Sequence, residues 1–128
     1  MNRERGSVTV IVAALVLVAL VLSLGVADLG RVLVARSHAR TAADAAALAV
    51  AQELVLPTGR TPTDVADEYA ARNGAIVRSC ACAAGTFEAS VTVSIDVDGL
   101  LLVPGSRSVS AAARAVVDLP SPTPTPSP

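Results

Sequence analysis

The sequence predicts an α+β protein: a long N-terminal transmembrane helix that extends out of the bilayer, then a small helix and antiparallel sheet, then a disordered Pro-rich tail. Three observations carry this. Residues 7–27 form an uncharged run in which 17 of 21 residues are hydrophobic; residues 28–54 contain no proline; and residues 87–97 alternate strictly between apolar and polar. Composition sets the outer limits. The 128 residues are 52% hydrophobic but only 2% aromatic, with a mean hydropathy of +0.59 and a formal net charge of -1. Once the uncharged run is set aside, the remaining apolar side chains are rich in alanine, with one Phe87 and one Tyr69. Alanine buries little area, so only a thin core can form. An enzyme with a pocket walled by large apolar side chains is not expected, and the charge balance implies no basic surface for nucleic acid.

As a helix, Ser7–Ala27 rises about 31 Å, which matches a hydrocarbon core of about 30 Å. A cleaved secretory signal is the competing reading, because Arg3 and Arg5 form a basic leader and Gly25-Val26-Ala27 supplies small residues. The uninterrupted run is longer than the usual apolar core of a signal, about 7–15 residues, and favours spanning. Arginines on both sides (Arg3 and Arg5 before; Arg31, Arg36 and Arg40 after) leave the orientation undecided by charge alone.

Residues 28–54 are expected to continue the same helix. Leu29, Val32, Leu33, Ala39, Ala43, Ala46, Val50 and Leu54 recur at helical spacing as one apolar stripe, with Arg36, Arg40 and Asp44 on another face. Arg40 and Asp44 stand at pairing distance on a helix. The alanine-rich run over 42–51 would let another helix approach closely, so neighbouring outer helices are expected to meet through Ala43, Ala46 and Ala47.

Pro57 to Pro62 then makes a turn. Thr61 is the expected N-cap of the second helix, with Pro62 at its first position, Asp64 near its positive end and Asn73-Gly74 as its stop. The small outer domain spans 61–118. Its clearest strand runs from Phe87 to Val97, with shorter strands expected over Ala75–Cys80 and Ser108–Val117. Such a sheet has open edges, suited to pairing with another subunit. Residues 120–128 alternate proline with Ser or Thr, and 119–128 are expected to be an extended, disordered tail.

Candidate chemistry is sparse. Cys80 and Cys82 are two residues apart, a spacing that in a regular strand does not bring the Cβ atoms close enough for a bridge. Buried thiols or an intermolecular disulfide are the remaining options. With a single distant His38 no metal set forms, and no catalytic residue or cofactor is expected. Asp28, just past the span, reads as a simple boundary residue.

The leader ending in Gly6, the span, then Val26-Ala-Asp-Leu-Gly-Arg31 and Ala39-Arg-Thr-Ala-Ala-Asp-Ala-Ala-Ala-Leu-Ala-Val-Ala51 resemble the N-terminal region of TadE/TadG-like proteins. These are pseudopilin-like components of the tight-adherence, or Flp pilus, assembly system of bacteria. The resemblance covers residues 5–53 and is similar in plan to the small TadE-like type of high-GC bacteria. It implies prepilin-type processing between Gly6 and Ser7, and motif or packing roles for Asp28, Gly30, Ala43, Asp44, Ala46 and Ala47. Five residues after the implied cut, where many pilin-like proteins carry glutamate, this chain has Ile11; an uncleaved TadG-like anchor fits as well. The resemblance further implies a single-pass protein with a cytoplasmic N-terminus and an extracytoplasmic C-terminal domain. Its partners would be membrane lipid, like or paralogous pseudopilin subunits and a pilus or type II-type secretion platform, with no small-molecule substrate. The alternative is a secreted or anchored small binding module whose N-terminal segment is only a signal peptide.

Overall fold

The structure is a computed structural model that describes residues 4–102 and 104–118. Met1 to Arg3 of the leader and the tail expected over 119–128 lie outside the described residues.

Helix α1 runs unbroken from Glu4 to Val55. Nothing in this stretch removes a backbone donor, and two of its hydroxyls bond back within the helix. The Ser23 hydroxyl donates to the Ala19 carbonyl at 2.8 Å and the Thr41 hydroxyl to the Ser37 carbonyl at 3.1 Å. The helix stops before Pro57, which cannot continue the backbone ladder. There Glu53 reaches forward, its carboxylate accepting from the Thr58 amide at 2.6 Å and the Thr58 hydroxyl at 2.7 Å. Those bonds hold the Glu53 carboxyl below its ordinary range, the Thr58 hydroxyl contributing most and burial opposing.

Helix α2, Pro62–Arg72, begins as expected: the Thr61 side chain accepts from the Asp64 amide at 3.1 Å, with proline in the first turn. It ends in a Schellman arrangement around Gly74, whose φ of +69° favours glycine. The Gly74 amide bonds to the Ala71 carbonyl and the Ala75 amide to the Ala70 carbonyl. On its outer face Glu68 receives both Arg60 and Arg72.

Strands β1 (Ile76–Ala81), β2 (Glu88–Val97) and β3 (Arg107–Val116) form one antiparallel sheet in the order β1-β2-β3. The register matches the alternation of β2: Ala89, Val91 and Val93 face inward opposite Ala115, Ala113 and Ala111. In β1 a bulge at Arg78 breaks the pairing between Val77 and Ser79. Val77 and Cys80 therefore both reach the core, and Arg78 turns out to donate to the Ser94 hydroxyl at 2.6 Å.

The outer half of α1 lies across the inner face of the sheet, and α2 packs beside it. Ala42, Ala43, Ala46, Ala47 and Val50 are buried against Val65, Ala66 and Ala70 of α2 and the inner residues of β2, and Ala39 is buried as well. The largest fully buried side chains are only Val50, Val91 and Val93. Small side chains on both surfaces bring helix and sheet backbones close, and the core is thin for that reason.

This arrangement corrects three sequence expectations. Ala43, Ala46 and Ala47, expected to meet neighbouring helices, are at most 1% exposed and belong to this chain's own core. The smooth face that could admit a foreign helix is taken by the tethered sheet, which needs the same cover for its apolar side. The stripe also does not extend down to Leu29 and Leu33, which remain 59% and 57% exposed because the buried contact begins at Ala39. The Arg40–Asp44 pair does not form; among the described residues the ion pairs are Asp28–Arg31, Arg60–Glu68, Arg72–Glu68 and Arg114–Glu88.

Because Ala46 faces the sheet with no exposed surface, Ala46→Leu should overpack the head and destabilise it by about 1–3 kcal/mol. Thermal unfolding of the full chain in detergent checks this, and an unchanged midpoint would place Ala46 outside the core.

Candidate functional site

The candidate site is the junction where the head returns to the end of the apolar run in α1. The β2–β3 connection descends beside the helix, and Asp28 takes hold of it. Its carboxylate accepts from the Leu101 amide at 2.8 Å and 2.9 Å and from the Leu102 amide at 2.8 Å. Arg31, one turn on, donates to the Gly99 carbonyl and lies 4.0 Å from the Asp28 carboxylate. Gly99 has a φ of +71°, the left-handed bend that presents these backbone groups to the helix. The loop tip sits against the end of the apolar run: a side chain built on Gly25 would meet the Leu102 Cδ1 at 3.6 Å.

The electrostatics follow from the geometry. The Leu101 amide, then the Leu102 amide, hold the Asp28 carboxyl below its ordinary value of 3.8; burial opposes them and Arg31 assists. The Asp28 side chain is only 13% exposed while Arg31 is 48% exposed, so the acid is the inner member of the clamp. Asp28 is thus more than the boundary residue the sequence suggested. An acid directly after an uncharged span, an arginine three residues on and a distant Leu100-Leu101-Leu102 run are the signals that could have found it.

The other expected residues are scattered. Gly6 and Ser7 lie exposed in the first turns of α1, about 31 Å of helix rise from the clamp. Gly30 is exposed, with no heavy atom within 4 Å of an added Cβ, and lines an open groove of about 520 Å³ with Val34, His38, Ile95 and Val97. Asp44 points to solvent. His38 is exposed on the helix, and among the described residues no three His, Cys, Asp or Glu side chains gather as a metal set.

Cys80 and Cys82 require a correction, since they are bonded to each other and not to another chain. Strand β1 ends at Ala81, and over this last step the Cα atoms of the two cysteines are 5.3 Å apart, against about 6.6 Å for two residues of regular strand. Residues two apart project to the same face, so contraction at the strand end brings the sulfurs together. The bridge packs against the core at the edge of the sheet.

Among the described residues one helix is long and apolar enough to cross a membrane, and it runs into a small α+β head, which defines the class: a membrane-span-capable helix carrying a compact domain. Residues 6–53 match the family model described as Tad, putative Flp pilus-assembly TadE/G-like. The match begins in the first turn of α1 and ends within its last, so it covers the span, the Asp28 clamp and the alanine face together. No curated protein and no solved structure matches the chain.

Two predictions follow from the site. The Asp28 carboxyl has a folded value below its unfolded one, so the clamp's contribution is complete above pH 3.8 and is lost as pH falls through the lower folded value. Asp28→Asn should remove that contribution at neutral pH, and below pH 3.8 its stability should converge on that of the wild type; a constant gap between the two in acid unfolding would discount the clamp. The Cys80–Cys82 ring closes only three residues, so loop-closure entropy gives it about 1.6 kcal/mol. Cys80→Ser with Cys82→Ser should therefore still fold. The wild type should run as a monomer on non-reducing gels with no free thiol by alkylation and mass spectrometry.

Proposed function

We propose that this protein is a non-enzymatic, membrane-anchored pseudopilin-type component of a Flp pilus or type II-type secretion assembly. The observation that carries the reading is the coincidence of the family match over 6–53 with one continuous helix whose first part exposes its large apolar side chains. From Val8 to Leu24 every large apolar side chain is exposed, among them Ile11, Leu15, Leu17, Leu20 and Leu22. A surface of that kind belongs in lipid or against other apolar helices.

The N-terminus stays cytoplasmic and the head is extracytoplasmic, where oxidising conditions sustain the Cys80–Cys82 bridge. Subunit contacts then use the lipid-embedded part of α1, since the alanine face is occupied by the head. Asp28, Gly30 and the residues around them serve the junction between span and head, and the open edges of β1 and β3 are available to like or paralogous subunits and to the assembly platform. Gly6 and Ser7 are the candidate processing site.

The test is a mature N-terminus with a topology reporter. A reporter enzyme active only outside the cytoplasm, fused after Asp118, should be active, and N-terminal sequencing should find Ser7 or Met1 first. A start at Asp28 would leave no span and would overturn the anchored reading in favour of a secreted module. An inactive reporter would reverse the orientation.

A further inference from the structure

We propose that the tip of the β2–β3 loop, Leu100–Leu102, is a second membrane contact: it inserts into the outer-leaflet boundary beside the span, and the Asp28–Arg31 pair makes that insertion possible by satisfying its backbone. This rests on the reading of α1 as a membrane span. Leu102 lies against Gly25, two residues before the end of the apolar run, so the tip is at the depth where that run leaves the hydrocarbon. At this level Leu101 and Leu102 are 53% and 47% exposed. They belong to the loop that reaches Gly25, at the level where Leu22, Leu24 and Val26 of the helix are exposed as well. The bilayer that covers those helix residues covers the loop as well.

Irregular backbone is costly at such a depth, because no water is present to bond free N–H and C=O groups. Here three of the loop's backbone groups have partners on the helix. The Leu101 and Leu102 amides donate to the Asp28 carboxylate, and the Gly99 carbonyl accepts from Arg31. A water-exposed loop could leave these groups to solvent; an acid enclosed beneath two leucines is an arrangement suited to lipid. With the span as one attachment and the loop as another, the head has a fixed face toward the membrane. Neither a single helix nor a free loop would fix it alone.

The chain contains no tryptophan, so a single introduced Trp reports on its own surroundings. Full-length Leu101→Trp is reconstituted in phosphatidylethanolamine–phosphatidylglycerol vesicles with and without lipids brominated near the top of the acyl chain. Val16→Trp marks the span and Leu56→Trp the far end of the head. Leu101→Trp should show blue-shifted emission and strong quenching by the brominated lipids, as Val16→Trp does with deeper bromines, while Leu56→Trp remains unquenched. Adding Asp28→Ala should shift Leu101→Trp emission to the red and reduce its quenching while leaving Val16→Trp unchanged. Leu102→Trp is the second reporter if Leu101→Trp alters thermal unfolding. Red emission without quenching at both positions, with Val16→Trp quenched, overturns the loop contact and leaves the span intact. Blue emission without quenching means that another protein surface covers the tip, which also overturns it. An unquenched Val16→Trp removes the span itself and the loop contact with it.

Discussion

The structure depends on how closely a helix can approach a sheet when both surfaces are made of alanine. Along α1 the inward positions are Ala39, Ala42, Ala43, Ala46 and Ala47, and on β3 they are Ala111, Ala113 and Ala115. Each gives little hydrophobic stabilisation, at about 25 cal/mol per Å² of buried apolar area. What they permit is contact over a long line in which no fully buried side chain is larger than valine. With only valines as its largest buried residues, the core cannot absorb a bulkier side chain by adjusting neighbours, and the helix has one seat on the sheet. The position of the head along α1 follows from that seat.

The second constraint acts at the other end of the head. A sheet resting on the distal half of a helix could rock about that contact. The β2–β3 connection prevents this by returning to Asp28, a span of 73 residues in sequence closed by backbone hydrogen bonds to one carboxylate. Charged acceptors make stronger bonds than neutral ones, and the low exposure of Asp28 spares the bonds from competition with water. Gly99 permits the bend, Arg31 takes the carbonyl, and Leu102 closes over Gly25. The alanine face and the acid clamp therefore hold the same domain at two points well separated along one helix.

Much of this was legible in the sequence because local signals dominate the individual elements. Thr61, Pro62 and Asn73-Gly74 bound α2 where the structure does, and the alternation from Phe87 gives β2 with its inward face, less its first residue. The continuous helix followed from the lack of proline and the abundance of alanine. What the sequence withheld was the choice among partners. An alanine face reads the same whether it meets its own sheet or a neighbouring helix, and only the three-dimensional return of the chain decides. The cysteines were misread because extended spacing was assumed between them, whereas the chain contracts where β1 ends at Ala81 and their Cα atoms stand 5.3 Å apart. Asp28 was read as a boundary residue since its partners are backbone amides, which have no signature in side-chain composition.

On the proposed reading of α1 as a membrane span, its unbroken course has a mechanical consequence. With no hinge between the run that ends at Ala27 and the helix end at Val55, the outer half behaves as a lever arm of about 42 Å at 1.5 Å per residue. A tilt of about 20°, ordinary for a single span, would carry its far end sideways by roughly 14 Å. Any force that leans one subunit in the bilayer is thus converted directly into lateral travel of its outer domain, and a push on that domain is returned to the lipid as tilt.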